Sequence, residues 1–313
     1  MASEVPVLLL IFNRPEALRQ VMAALREVAP TRLYVGADGP RMDRPGEREK
    51  TEAARAIAQA ADWPCEVRTL FRDQNLGCRR AVSTAIDWFF EQVDCGIVLE
   101  DDCVPHPSYF PFAAELLERY RDDERVMAVA AKHHGAARAQ MPHSYFFSRY
   151  NHCWGWASWR RAWRLYDRDM ANWPELRDTN WLRGIGAGSR AFQRYWTRMF
   201  DLAHAGEIDS WAYRWTFSCW TQNGLSILPT RNLLSNIGFD ADATHTQNGG
   251  LLEACFGQER IEFPLLHPSI MVRDVDADAW SDREVFGICK TPVKDLLRSV
   301  PGARSLANML RQK

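Results

Sequence analysis

Three acids in a row, Glu100-Asp101-Asp102, close an apolar run and lead directly into Cys103-Val104-Pro105. Neighbouring carboxylates repel and resist leaving water unless a cation or hydrogen-bond donors compensate them. Either solvent hydrates the triplet on a surface turn, or something positive sits against it. Hard divalent cations such as Mn2+ or Mg2+ take carboxylate and phosphate oxygens together. A metal held in that way assists the departure of a diphosphate as a Lewis acid. A further acid, Asp209, stands in GEIDSWAYRW just ahead of helix-forming residues. That is the pattern of a helix N-cap. A helix N-terminus also keeps a carboxylate ionised and ready to accept a proton. Glu207 is the reserve for that role.

These residues are carried by an alternation of short apolar runs and helical patterns. Residues 5–12 form an apolar run, and Asn13-Arg14-Pro15 then opens a helix with Leu18, Val21, Met22 and Leu25 on one face. Arg32–Ala37 reads as a second strand ending at Asp38-Gly39-Pro40, and a charged helix over 47–61 places Ala53, Ile57 and Ala60 on one face. Strand 65–71, helix 79–92, strand 96–99, helix 109–120 and strand 126–131 follow. The pattern predicts an α/β fold with a mostly parallel central sheet flanked by helices. Ligands in such sheets bind beyond the carboxyl ends of the strands. Asn13-Arg14, Asp38 and the acid triplet all lie there.

The second half reads differently. Residues 144–223 are rich in aromatics and arginine, with helices expected over 189–205 and 210–222. A strand and its connection are expected over 225–238, then a polar loop containing Asp240, Asp242 and His245. The absence of a linker or repeat predicts one domain over 1–290. A nucleotide-binding half (about 1–131) and an acceptor-binding half (about 132–290) would share its sheet, with a basic tail over 291–313. The last 24 residues carry six Lys or Arg against one acid, Asp295, with Val293, Leu296, Leu297 and Val300 at helical spacing. Such a tail can rest on an anionic membrane or pack on its own domain.

The 313 residues are 46% hydrophobic and 25% charged with a net charge of −1, which gives no bulk attraction to nucleic acid. The opening MASEVPVLLLIFNRPE has no basic n-region, and its apolar run is far short of the ~20 residues that span a bilayer. Eight cysteines are scattered without a C-x-x-C pair, which suggests reduced thiols and a cytoplasmic chain. Neither G-x-x-x-x-G-K-[ST] nor G-x-G-x-x-G occurs at the first strand. A P-loop enzyme or an ordinary dinucleotide-binding dehydrogenase is thereby disfavoured. Phosphate charge must instead be met by metal and by side chains such as Arg14, Arg79 or Arg80.

In order, IFNRPEALRQ, VGADGP, NLGCRRAV, IVLEDDCVP and WGWASWRRAW resemble the GT-A glycosyltransferases that use nucleotide sugars. The likeness is greatest to the branch containing N-acetylglucosaminyltransferase I and its bacterial, family-2-like relatives, and it spans roughly residues 5–246. The resemblance implies a metal-dependent, inverting transfer from a UDP-sugar to a hydroxyl acceptor on a glycan or glycolipid. Asp102 would be the direct ligand of Mn2+ or Mg2+, with Glu100 and Asp101 on donor hydroxyls or metal-bound water. Asp38 would lie against the base, and Phe12, Asn13 and Arg14 would contact nucleotide. Asn75 and Gly77 would let the backbone pass the base. Asp209 would be the catalytic base and His245 a further metal contact. Trp154-Gly155-Trp156 resembles the family's loop near donor sugar and acceptor.

Several of these residues have a plainer reading. Asn75-Leu76-Gly77 also fits a simple turn with glycine at positive φ. Trp154 and Trp156 also fit a core, and Trp159 with Trp163, four apart, fit one buried helix face. Two other functions share the fold: a sugar nucleotidyltransferase, which needs a glycine-rich loop that IFNRPEAL lacks, and a non-catalytic sugar- or nucleotide-binding protein.

Overall fold

The computed structural model describes residues 4–132, 141–238 and 257–288. Strand β1 (Val7–Ile11) is buried at every position. It sits inside a sheet built with β2 (Arg32–Ala37), β3 (Glu66–Phe71) and β4 (Cys95–Glu100). Further along the chain come β5 (Cys103–Pro105), β6 (Val126–Ala130), β7 (Tyr145–Ser148), β8 (Trp156–Trp159), β9 (Leu225–Pro229) and β10 (Leu234–Asn236). The eight-stranded central sheet runs β3-β2-β1-β4-β8-β6-β9-β7, and β5 pairs with β10 in a separate ribbon. Strands β3, β2, β1 and β4 are mutually parallel, β8 is antiparallel to β4 and β6, and β7 is antiparallel to β9. The result is a mixed α/β, Rossmann-like fold with a mostly parallel sheet.

A strand buried on both faces sends alternate residues to two cores. Val7, Leu9 and Ile11 join α1 (Pro15–Val28), α2 (Glu47–Gln59) and α4 (Tyr109–Arg119) on one face. Leu8 and Leu10 meet α3 (Gly77–Gln92) and the aromatic second half on the other. That second half comprises short helices α5 (Arg160–Trp163), α6 (Trp173–Leu176) and α7 (Trp181–Ile185), then α8 (Arg190–His204) and α9 (Ala212–Thr221). Helix α10 (Val275–Trp280) docks on β7 through Ser148, which donates to the buried Asp278.

Several expectations change. In α2 the buried residues are Thr51, Ala54 and Ala58 rather than Ala53, Ile57 and Ala60, because Glu47 at its start is itself buried and sets the rotation. Trp159 and Trp163 are core, but not on one helix face. Trp159 ends β8 in the α4-side core, while Trp163 ends α5 in the α3-side core. Strands β5, β7, β8 and β10 were not foreseen; β7 and β8 are four-residue aromatic segments too short to show a period. No helix among the described residues is long and apolar enough to cross a membrane. The basic tail, with Cys255 and Cys289, lies outside the described residues.

Trp156 is 1% exposed and stacks on Trp211 at 5.7 Å between ring centroids, with Trp163 and Trp215 completing the cluster. The expectation that this indole faces a sugar is therefore corrected: it fills the core. Trp156→Ala should cost about 3–5 kcal/mol, the usual range for a large buried aromatic. Urea unfolding measures it, and an unchanged midpoint would contradict the core role.

Candidate functional site

A cavity of about 380 Å3 opens beyond the carboxyl ends of β2, β1 and β4. These three strands are adjacent in the sheet, so the residues that follow them are brought side by side. Asp38 and Arg41 arrive from β2, Phe12, Asn13 and Arg14 from β1, and Glu100 and Asp101 from β4. Asn75, Gly77 and Cys78 approach from the start of α3, and Asp209 comes from the second half of the chain.

The acid triplet is not a solvated turn. Asp101 and Asp102 are 7% and 8% exposed, and Glu100 is half-buried at the end of β4. Burial first, then the charges of Asp102 and Asp101, push the Glu100 carboxyl up to about 8, against the opposing pull of Arg14. The same causes, burial and then Asp102, raise Asp101 to about 7. Asp101 Oδ2 accepts the Phe12 N–H at 2.9 Å, which ties the triplet to the end of β1. Asp102 Oδ2 accepts from Arg14 Nη1 at 2.5 Å, while the same Nη1 stands 4.0 Å from Asp101. A side chain at Gly238 would collide with that Asp102–Arg14 pair.

Asp102 therefore sits against Arg14 and beside Gly238, while Glu100 and Asp101 are the members of the triplet on the cavity wall, which Asp38 and Asp209 also line. The expected ligand Asp102 is thus engaged by Arg14, and it is no more buried than Asp101. Among the described residues no group of three or more His, Cys, Asp or Glu forms a ready metal cage. The donor set at the wall is nevertheless all oxygen, in charge excess over the single Arg14, which suits a hard cation that completes its shell with phosphate or water. His245, like Asp240 and Asp242, lies outside the described residues.

Asp38 lines the cavity with its oxygens already engaged. Oδ1 accepts the N–H groups of Gly39 and Leu76, both at 2.9 Å. Oδ2 accepts the Gly77 N–H at 3.1 Å and the Asn75 amide at 3.0 Å. Burial raises its carboxyl while those N–H groups pull it back down. The knot closes the β3–α3 loop onto the end of β2. Gly77 has φ +78, and a Cβ there would come within 2.6 Å of Asp209 Oδ2, so both the turn and the approach require glycine.

Asp209 caps a helix, but not the one that follows it. Its Oδ2 accepts the Cys78 N–H at 2.8 Å and its Oδ1 the Arg79 N–H at 3.1 Å, at the start of α3. The residue at the N-cap of α9 is Trp211, with no side-chain bond. The expected capping of its own helix is thereby corrected, and the second half of the chain is pinned to the first across the cavity. Glu207 is exposed and off the cavity wall.

Four other residues expected at the site are not on this wall. The Arg79 and Arg80 side chains do not line this cavity. Trp154 packs beside the α4-side core with Lys132 Nζ 5.3 Å from its ring centre. Gly155, at φ +60, makes room for the Leu234 side chain rather than for a ligand.

Two residues on or beside the wall escaped the sequence reading, Arg41 and Glu47. Glu47 is 5% exposed and accepts from Arg41 Nε at 3.1 and 3.0 Å, from its Nη2 at 2.5 Å and from its N–H at 2.7 Å. Asn13 Nδ2 also donates to it, at 3.0 Å. The Arg41 guanidinium holds the Glu47 carboxyl below its ordinary range, with burial opposing. The only sequence signal was an acid at the first position of a charged helix, which the helix dipole alone explains.

Glu100 provides a pH test. Its folded value of about 8 exceeds its ordinary 4.5, so the native state holds this proton more tightly than the unfolded chain. Stability falls as pH rises between those values, and the full penalty applies above the upper one. Glu100→Gln should melt a few degrees above the native protein at pH 9, with the gap closing toward pH 4.5. A gap that does not change with pH would contradict the assignment.

No protein-family model matches the chain, and no curated protein matches it. Among solved structures it is similar to UDP-glucose pyrophosphorylase complexed with UDP-glucose, with a TM-score of 0.28 and 11% identity. The alignment covers 46% of this chain and spans 62% of that one. A likeness at that level carries no argument, and the site rests on the chain's own geometry.

Proposed function

We propose that the protein is a metal-dependent, inverting glycosyltransferase that moves a sugar from a nucleoside-diphosphate sugar, UDP-linked by preference, to a hydroxyl acceptor. The observation that carries this reading is the acid pair Glu100 and Asp101, for which burial and like charge outweigh what Arg14 and the Phe12 N–H compensate, on a cavity at the carboxyl end of a central parallel strand. Glu100 and Asp101 would hold Mn2+ or Mg2+, and Asp102 would fix Arg14 beside them. When bound, the metal would offset the charge that develops on the departing diphosphate. Arg14, turned to the cavity while one nitrogen stays on Asp102, adds a donor for phosphate oxygen.

Asp209 is the proposed proton acceptor. Its two bonds from the α3 backbone fix its position, and each carboxylate oxygen has a second lone pair for an acceptor hydroxyl. Such a base acts late, as the attacking hydroxyl becomes acidic in an oxocarbenium-like transition state. No glycine-rich loop follows β1 to cradle a triphosphate, which favours sugar transfer over nucleotidyl transfer.

A thermal-shift panel of UDP, GDP, CDP and dTDP, each with Mn2+ and with EDTA, tests donor binding. One nucleotide should raise the melting temperature only with metal, by the amount that about 2.7 kcal/mol supplies at 100 times its dissociation constant. No shift with any nucleotide would remove the reading. Asp209→Asn should lower turnover about 10²–10⁴-fold, as loss of a general base does, with nucleotide affinity retained. Loss of nucleotide binding along with turnover would assign Asp209 to holding α3 instead. Release of pyrophosphate from a nucleoside triphosphate and a sugar 1-phosphate would identify a nucleotidyltransferase.

A further inference from the structure

The strand order fixes which part of a nucleotide can meet which wall. Strands β2, β1 and β4 are consecutive, and neighbouring strands lie about 4.8 Å apart. The end of β2 is thus roughly 10 Å from the acids after β4. If the diphosphate and its cation meet Glu100 and Asp101, the nucleoside lies toward β2. The cation waiting there is Arg41.

Arg41 is not presented as a bare charge. Glu47 takes its Nε and Nη2 side by side, which neutralises the guanidinium and locks its plane. That plane lies over the Phe12 ring, 5.5 Å from guanidinium carbon to ring centre. The backbone of Phe12 is anchored, because its N–H is held by Asp101. Asn13, the next residue, donates to the same Glu47 carboxylate, so the loops after β1 and β2 are tied through one buried acid. A cation meant for phosphate gains from a free charge. One meant for stacking gains from a locked, weakly hydrated plane beside an aromatic ring.

Building on the nucleotide-sugar reading above, we infer that Arg41 and Phe12 form the wall on which the nucleobase of the donor packs, and that Glu47 is the positioning residue for Arg41. The wall recognises a flat heterocycle by its face, so it supplies affinity for nucleotides of any base and leaves base choice to the edge contacts around Asn75. Arg41 Nη1 has no partner among the described residues, which leaves its donors for the nucleoside or for solvent.

The test is calorimetric binding of the four ribonucleoside diphosphates and dTDP, with Mn2+, to the native protein and to Arg41→Ala, Arg41→Lys and Glu47→Gln. Inorganic pyrophosphate is titrated in parallel as the ligand without a base. For the nucleotide that binds, Arg41→Ala should weaken affinity about tenfold, the scale of one stacking contact. Arg41→Lys should lose as much, since it keeps the charge but not the plane, and pyrophosphate binding should be unchanged. Glu47→Gln should weaken nucleotide binding, and combining it with Arg41→Ala should add nothing, which a merely structural role would not produce.

Retention of nucleotide affinity in Arg41→Lys, or an equal loss for pyrophosphate, would make Arg41 a phosphate contact and overturn the inference. Native-like affinity in Arg41→Ala would remove it from the site while leaving the nucleotide reading standing. If the native protein binds none of the five nucleotides, the nucleotide reading fails and the inference goes with it. The melting temperature of each variant confirms that the protein measured is folded.

Discussion

Carboxylates that have left water must be compensated, and at the end of β4 three of them share one arginine. Arg14 reaches Asp102 and stands at the edge of Asp101, and its pull on Glu100 is outweighed by burial and the two neighbouring charges. The chain has sheltered this excess charge by folding β1 against β4 and closing Phe12 onto Asp101. A globular fold gains no stability from such an arrangement, because buried like charges oppose folding. The arrangement makes chemical sense when a ligand supplies the missing positive charge. A cation that arrives with its own phosphate oxygens does so without needing a full cage of protein ligands.

The rest of the cavity is built by commitments of the opposite kind, in which each remaining acid is satisfied in advance. Asp38 is saturated by the loop before α3, Glu47 by Arg41 and Asn13, and Asp209 by the α3 backbone. These three acids act as struts. Asp38 holds β2 to α3, Glu47 holds the β1 loop to the β2 loop, and Asp209 holds the second half to the first. The contrast is what singles out Glu100 and Asp101. Removing a strut should move a wall, whereas neutralising the undercompensated pair should change charge and leave the walls in place.

Much of this was legible in the residues themselves. The alternation of apolar strands and helices over the first 131 residues fixes a mostly parallel sheet, and the sheet fixes where its loops converge. The polar residues after β1, β2 and β4 were therefore identifiable as neighbours before any coordinate was known. The aromatic half was less legible, because Trp and Tyr pack in any element and strands of four residues show no period. Residue type suggested sugar faces for Trp156, but burial against Trp211 made it core. The resemblance likewise named Asp102 as the metal ligand, but nothing in three consecutive letters says which of them a distant arginine will take. Asp209 was recognised as a cap, but the Cys78 N–H it accepts lies 131 residues earlier in the chain, at the start of another helix. Such pairings are set by tertiary packing and lie beyond local pattern.

The most direct test is to follow Mn2+ by the loss of its free-ion paramagnetic resonance signal in the presence of the nucleotide that stabilises the protein. The native protein should take up one equivalent of Mn2+ with nucleotide and much less without it. The Glu100→Gln, Asp101→Asn double variant should stay folded, melt higher than the native protein at pH 9, and take up none. If the double variant binds Mn2+ and nucleotide as the native protein does, the buried acid pair is not the cation's seat, and the account of this site is wrong.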